Sequence, residues 1–190
     1  MEHENIRSSL KAAVLMTLGF VLMLAGSTAN AQGIRPWTSA ASTGTFDEDS
    51  QSIVAFANFT VGHASGQTGS IHIRYNISAT DNISNFCPAT QSVVKVRFRN
   101  SDNSGVAGKL TFEIHSTTLA TGGNTTEFSF DSNGIGAGLS FTTATFTPAI
   151  DFDFANKVYW IEATLFRGDT GQLVNLGGIQ IYENAGAACP

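Results

Sequence analysis

Clustered carboxylates are the side chains of this sequence that best suit a metal ion. Asp47, Glu48 and Asp49 are consecutive, and Asp131 begins a second polar turn. Because Ca²⁺ takes several carboxylate and carbonyl oxygens, these four residues are the candidates for a calcium site that braces a loop. Their spacing matches no defined calcium loop, since the second turn lacks a closing bidentate Glu. The competing interpretation is a pair of solvated turns and no cofactor.

Aromatic side chains supply a second kind of candidate chemistry, which is stacking on a sugar ring. Trp37, Trp160 and Tyr182 are the candidate ligand-binding residues. Tyr159 and Trp160 are consecutive in a predicted strand and therefore face opposite sides, so at most one of these two rings can belong to a given platform. The alternative for each of these rings is packing in the core.

The sequence gives little support for catalysis, and we predict that the protein is not an enzyme. Asp151 and Asp153 would lie about 6.6–7 Å apart on one face of a strand, a separation found between the carboxylates of inverting glycosidases. Alternating acids on a water-facing edge also discourage aggregation, and that interpretation is favoured. His72 and His115 would form a metal pair only if their strands were neighbours.

Lys95, Arg97 and Arg99 alternate along another predicted strand and form a basic stripe. The stripe could contact an anionic glycan or a lipid head group. Pairing across strands with Glu113 or other acids is the alternative that we favour.

The first 31 residues have the three parts of a cleaved signal peptide in the expected order. Arg7 and Lys11 precede a weakly polar to apolar run over residues 12–25, and small residues at 29 and 31 mark a cleavage site. The run is shorter than the roughly 18 residues that a membrane anchor needs. We therefore predict a secreted, periplasmic or cell-surface protein with no membrane anchor.

Charge and cysteine content narrow the partners and the compartment further. The net charge is −5, which makes nucleic acid a poor partner because binding to polyphosphate depends on Lys and Arg. Cys87 and Cys189 form an even count in an exported chain, which favours a disulfide between them worth on the order of 4–5 kcal/mol. The alternatives are two free thiols or a bond between chains.

Alternation of apolar and polar residues predicts the strands that carry these side chains. It is clearest over residues 70–78, where every second residue is apolar. The same alternation recurs around Val96, Phe112, Phe128 and Phe152. Residues 53–61 and 158–166 are apolar on both faces, which is typical of central strands or of strands whose outer face is covered by a loop or a neighbour, and we expect central positions.

About nine short strands with Gly-rich connections predict an all-β fold, a two-layer antiparallel β-sandwich of jelly-roll or immunoglobulin-like type. The sandwich is expected to span residues 53–190. The polar segment 32–52 before it is predicted to be either an N-terminal arm or an edge strand.

Three stretches carry a resemblance to other proteins: GTFDEDS at residues 44–50, GQTGSIHIRYN at 66–76 and DFANKVYWIEATL at 153–165. Together they resemble short exported bacterial all-β proteins of uncharacterised function. The resemblance implies an exported all-β domain and names no activity.

Two functions from different classes fit these observations. The preferred hypothesis is a non-catalytic structural or surface protein that associates with itself or with other surface proteins through strand edges or the N-terminal segment. The alternative is a β-sandwich module that binds a carbohydrate or another small ligand. Assembly predicts oligomers that grow with concentration, whereas a binding module predicts a melting temperature that rises with one class of glycan.

Overall fold

The computed structural model describes residues 36–80, 92–102, 104–135 and 138–183. These residues form eleven strands and two short helical turns. The strands are β1 (Trp37–Ala40), β2 (Thr45–Phe46), β3 (Val54–Ala57), β4 (Thr60–His63), β5 (Gly69–Ile77), β6 (Ser92–Asn100), β7 (Gly108–Thr118), β8 (Asn124–Asp131), β9 (Thr142–Phe146), β10 (Lys157–Arg167) and β11 (Val174–Glu183). A 3-10 turn covers Ala41–Thr43, and helix α1 covers Glu48–Gln51.

The strands form two antiparallel sheets. The five-stranded sheet has the order β2-β5-β10-β7-β8, and the six-stranded sheet has the order β3-β4-β11-β6-β9, with β1 also pairing with β11. The predicted two-layer antiparallel β-sandwich is confirmed. The strand count exceeds nine because the sandwich includes strands of two to four residues, too short to produce a visible alternation.

The core lies between the sheets and is built from every second residue of the long strands. Ile73 on β5, Leu165 on β10 and Phe98 on β6 are fully buried, and their sequence neighbours point to water. Phe98 of one sheet contacts Phe130 of the other, with ring centroids 5.8 Å apart. Each such side chain contributes roughly 1.5–3 kcal/mol by burial, so Phe98→Ala is expected to cost about 3–5 kcal/mol.

The two segments with apolar residues on both faces occupy different positions in the sheets. Residues 158–166 lie within β10, which pairs with β5 and β7, so the prediction of a central strand is confirmed there. Residues 53–61 instead form most of an edge hairpin whose turn holds Asn58 at φ 56°. Phe56 and Phe59 are 54% and 50% exposed, so the central-strand prediction is wrong for this segment.

The strand predicted around Phe152 is also absent, since residues 147–156 form no strand. Asp153 Oδ1 accepts hydrogen bonds from the N–H groups of Ala155 and Asn156, and the Tyr159 hydroxyl donates to the carbonyl of Asp151. Asp151 and Asp153 therefore belong to a turn tied to β10, and the sheet-edge interpretation of this acid pair is wrong.

The segment 32–52 is described from residue 36 onward. It contains β1 against β11, β2 against β5, and α1. Cys87 and Cys189 lie outside the described residues, and the disulfide remains a prediction. Within the described part of the chain, no helix has the length and hydropathy needed to cross a membrane.

Candidate functional site

The outward side chains of the five-stranded sheet form a polar face that includes one tryptophan. Alternation on β5, β10 and β7 turns their apolar residues inward, so the residues between them face outward. The pairing of the strands aligns these residues in rows across the sheet. One row is Thr45, Arg74, Glu162, Glu113 and Ser129, and the next is Asn76, Trp160, His115 and Thr126.

A groove follows β5 along this face. Three adjoining concavities of about 350, 340 and 310 Å³ all include Arg74 in their lining. The first continues to Asp47 and His72, and the second to Asn76 and Trp160. We call this surface the Arg74 groove. From Asn76 to His72 it spans about 13 Å, four residues of an extended strand.

The chain from β1 to α1 contributes side chains to the groove and is fastened to β5. The Tyr75 hydroxyl donates a 2.7 Å hydrogen bond to the carbonyl of Ala41, and the hydroxyl of Ser50 accepts one of 2.8 Å from the His72 N–H. At Gly44 the backbone approaches so closely that an added Cβ would clash with the Ile73 side chain and lie 2.8 Å from the Tyr75 ring. Only glycine fits there without displacing the segment from Tyr75.

Trp160 is held in place on the face by a stack and a hydrogen-bonded histidine. Its ring and the ring of His115 are stacked, with centroids 5.2 Å apart and planes at 21°. His115 Nδ1 lies 3.2 Å from the Thr126 hydroxyl, and Nε2 lies 3.1 Å from Glu113 Oε2. The indole is half-buried, and a preformed aromatic surface loses little rotamer freedom when a ligand stacks on it.

The groove carries charges of both signs. Glu162 lies between Arg74 on β5 and Glu113 on β7, and the His72 Nδ1 is 3.8 Å from Glu162 Oε1. Hydrogen bonds from Ser50 lower the pKa of Asp47 below its usual value, helped by the nearby His72 and Arg74. The groove therefore presents a guanidinium and an amide as donors beside carboxylate acceptors.

The three predicted aromatic ligands do not form one platform. Trp160 and Trp37 line different concavities of the Arg74 groove, but Trp37 is only 8% exposed and packs in the core. Tyr182 lies on the outer face of the other sheet, where the Lys95 ammonium sits 5.0 Å from the centre of its ring. Tyr159 is buried while Trp160 faces outward, as their consecutive positions on one strand require.

The predicted calcium ligands lie at two separate places. Asp47 follows β2 and caps α1 by accepting from Ser50 N–H at 2.9 Å, with Glu48 and Asp49 in the first turn of that helix. Asp131 lies on β8, at the opposite edge of the sheet and about 19 Å away, four strand spacings. Among the residues the structure describes, no three His, Cys, Asp or Glu side chains converge as metal ligands.

The structure separates the two histidines and places the basic stripe away from its predicted partner. His72 on β5 and His115 on β7 are separated by β10, so their strands are not neighbours. Lys95 lies on β6 of the six-stranded sheet, whereas Glu113 lies on the outer face of the other sheet, so the predicted pairing with Glu113 is wrong.

Sequence reasoning did not assign Arg74, Asn76 and Glu162 to a site. Alternation marks all three as outward residues, but they converge only because β5 pairs with β10, about ninety residues later in the chain. Their positions around Trp160 would have marked them as candidates, but those positions are known only once the pairing of β5 with β10 is known.

No protein-family model matches the sequence, and no curated protein sequence matches it. Solved structures with a similar arrangement include the xylan-binding module CBM15, with a TM-score of 0.48, 14% identity, and coverage of 82% of this chain and 100% of that one. Another is the CBM36-1 domain of a multidomain xylanase from the hindgut metagenome of Trinervitermes trinervoides, with a TM-score of 0.46, 12% identity, and coverage of 80% and 100%. A third is TmCBM61 in complex with beta-1,4-galactotriose, with a TM-score of 0.44, 10% identity, and coverage of 77% and 92%. Similarity at this level describes a loosely shared strand arrangement, and no function is carried over from it.

Proposed function

We propose that this protein binds a neutral polysaccharide chain in the Arg74 groove, without cleaving it. The observation that carries the proposal is the position of Trp160, fixed by its stack on His115 at the margin of a groove lined by Arg74, Asn76 and Glu162.

A sugar ring has two requirements, and this surface meets both. Its C–H faces are apolar and pack on an aromatic ring, while its hydroxyl groups need donors and acceptors around the ring edge. Trp160 supplies the flat apolar surface, Arg74 and Asn76 supply donors, and Glu162 supplies acceptors. The groove has a length of about 13 Å along β5, which suits a chain better than a single ring.

The balance of charge favours a neutral chain over an acidic one. Glu162 and Asp47 line the same groove as Arg74 and His72, so an anionic ligand would meet two carboxylates beside the two basic groups. Hydroxyl groups can use both kinds of partner without that repulsion.

The other hypothesis is self-association through strand edges. The described strands offer few long, regular edges to which another strand could be added. Four of the five described edge strands are short: β1 and β3 have four residues each, β2 has two and β9 has five. The fifth, β8, has eight residues, but a bulge interrupts its pairing opposite Ile114 and His115. Short and bulged edges are the usual means by which sheets avoid adding strands.

The test is affinity electrophoresis and calorimetry against neutral polysaccharides, including xylan, galactan, mannan and soluble cellulose derivatives. We expect one class to bind and Trp160→Ala to weaken that binding about tenfold or more. Phe59→Ala is the matched control, because Phe59 is an exposed aromatic residue of the other sheet and its loss should leave binding unchanged.

Failure of every neutral class to bind the wild-type protein would contradict the proposal, as would equal affinity in Trp160→Ala. Release of reducing ends from the bound polysaccharide would contradict its non-catalytic part.

A further inference from the structure

The outer face of the six-stranded sheet contains a slot that differs from the Arg74 groove in chemistry. It has a volume of about 380 Å³ and is mainly apolar. Its floor includes Gly177 and Gly178, where a bulge shifts the pairing of β11 with β6. We call it the Phe59 slot, after the half-exposed ring of the β3–β4 turn that lines it together with Lys95 and Arg97.

The slot exists because of the two glycines. A Cβ on Gly177 would lie 3.3 Å from both the Arg97 Cγ and the Phe141 ring, and one on Gly178 would lie 3.2 Å from the Ser39 carbonyl oxygen. Larger residues would fill the space beside Arg97. Phe59 stands at the tip of a two-residue hairpin turn, a place normally taken by polar residues, and it is 50% exposed.

The three cations of β6 line or flank the slot, and their partners are neutral. The Arg97 guanidinium lies 5.6 Å from the centre of the Phe141 ring, and Lys95 lies over Tyr182. Arg99 donates to the Asn175 side-chain oxygen at 2.8 Å. Within the described ranges, the ion pairs all lie on the five-stranded sheet.

A concentrated positive stripe is notable in a chain whose net charge is −5. Alternate residues of a strand are about 6.6–6.8 Å apart, and the Arg97 and Arg99 guanidiniums both lie against the Phe141 ring, 5.6 and 5.4 Å from its centre. A group of cations beside an aromatic-walled slot matches a polymer whose rings carry repeated negative charges.

We propose that the Phe59 slot is a second binding site, for an acidic polysaccharide. A sugar ring packs against Phe59, and its carboxylate or sulfate group accepts hydrogen bonds from Arg97 and Lys95. The site is independent of the Arg74 groove, because the two occupy the outer faces of different sheets.

A polysaccharide fits this slot better than nucleic acid or membrane does. Nucleic acid binding gains mainly from phosphate contacts, of which three cations in an acidic chain make few, whereas an acidic sugar also gains from packing its ring against Phe59. A membrane surface would use a broad basic patch, whereas the cations here lie along one strand beside a mainly apolar depression.

The experiment measures binding of the protein to polygalacturonate, which carries carboxylates, to dextran sulfate, which carries sulfates, and to neutral dextran. We expect binding to at least one polyanion and none to dextran. Arg97→Gln is expected to weaken polyanion binding about tenfold, while Lys109→Gln, which removes one cation from the other sheet, should change it less than about twofold. Phe59→Ala should weaken it as well, and neither Arg97 nor Phe59 is buried, so these variants are expected to fold.

The outcomes separate the alternatives. Binding of polygalacturonate alone identifies a uronate ligand, and binding of dextran sulfate alone identifies a sulfated one. The proposal is overturned if neither polyanion binds, if Lys109→Gln weakens binding as much as Arg97→Gln, or if only anionic phospholipid vesicles bind. A dimer that Arg97→Gln dissociates, without any polyanion binding, would also overturn it. Trp160→Ala should leave polyanion binding unchanged. Polyanion binding therefore tests the Phe59 slot, and binding of neutral polysaccharides tests the Arg74 groove separately.

Discussion

Ser50 makes the most specific contact between α1 and the sheet, and its removal tests how the groove is built. Its side chain is fully buried, and its hydroxyl accepts the His72 N–H at 2.8 Å. β2 pairs with β5 only at Ile73 and Arg74, so the serine takes the place of a ladder partner for the next residue. Ser50→Ala removes that acceptor from a part-buried backbone donor.

Loss of one partner from such a donor costs about 1–3 kcal/mol. For a domain of this size, each kcal/mol lowers the melting temperature by about 2–4 °C. Ser52→Ala is the matched control, because Ser52 follows the same helix, is exposed, and donates only to Asp49 at 3.3 Å. We expect that variant to stay within about 0.5 kcal/mol of wild type.

Urea denaturation gives the free energy of unfolding, and hydrogen exchange at the His72 amide reports the contact itself. The exchange rate of that amide should rise in Ser50→Ala more than those of the central β10 amides. If Ser50→Ala and Ser52→Ala have the same stability, and if the His72 amide exchanges as in wild type, then the Ser50 hydroxyl does not replace a ladder partner.

Three further predictions concern the same wall of the groove. Tyr75→Phe leaves the Ala41 carbonyl without its 2.7 Å donor and should cost about 1–2 kcal/mol in urea denaturation, and an unchanged stability would contradict the anchoring role. Gly44→Ala should cost about 1–3 kcal/mol, since the new methyl group would clash with Ile73 and the Tyr75 ring, and calorimetry should show it to be more damaging than Gly138→Ala, whose methyl group would approach no atom closer than 3.9 Å. Because the pKa of Asp47 is lower in the folded state, its carboxylate stabilises the fold. This stabilisation is complete above the usual pKa of 3.8 and is lost as the pH falls through the lower folded-state pKa. Asp47→Asn should therefore flatten the fall in melting temperature in acid, and a profile parallel to that of wild type would contradict this linkage.

Alternation predicted the long strands well because it reports which residues are buried. It does not report hydrogen bonding between strands, which explains the error around Phe152. That residue is buried like a strand residue, but it packs against the Tyr159 ring at 4.9 Å within an irregular turn. Residues 53–61 led to the opposite error. Phe56 and Phe59 are large and apolar, which predicted burial, but both are exposed at an edge.

The candidate site was harder to predict because it depends on contacts distant in sequence. Trp160 was identified as a candidate from its residue type alone. Its partners in the groove became visible only when β5, at residues 69–77, was found beside β10, at 157–167. The Phe59 slot likewise depends on a bulge at Gly177, which no local pattern of apolar and polar residues indicates.

Fluorescence quenching can test the central claim directly, because the chain has two tryptophans in different environments. Trp37 is buried in the core, and Trp160 lies on the polar face, so Trp37→Phe leaves Trp160 as the sole reporter. With the neutral polysaccharide that binds, we predict that acrylamide quenching of this variant falls as the glycan covers the indole. Saturating glycan that leaves the quenching of Trp160 unchanged would show that the Arg74 groove is not the binding site.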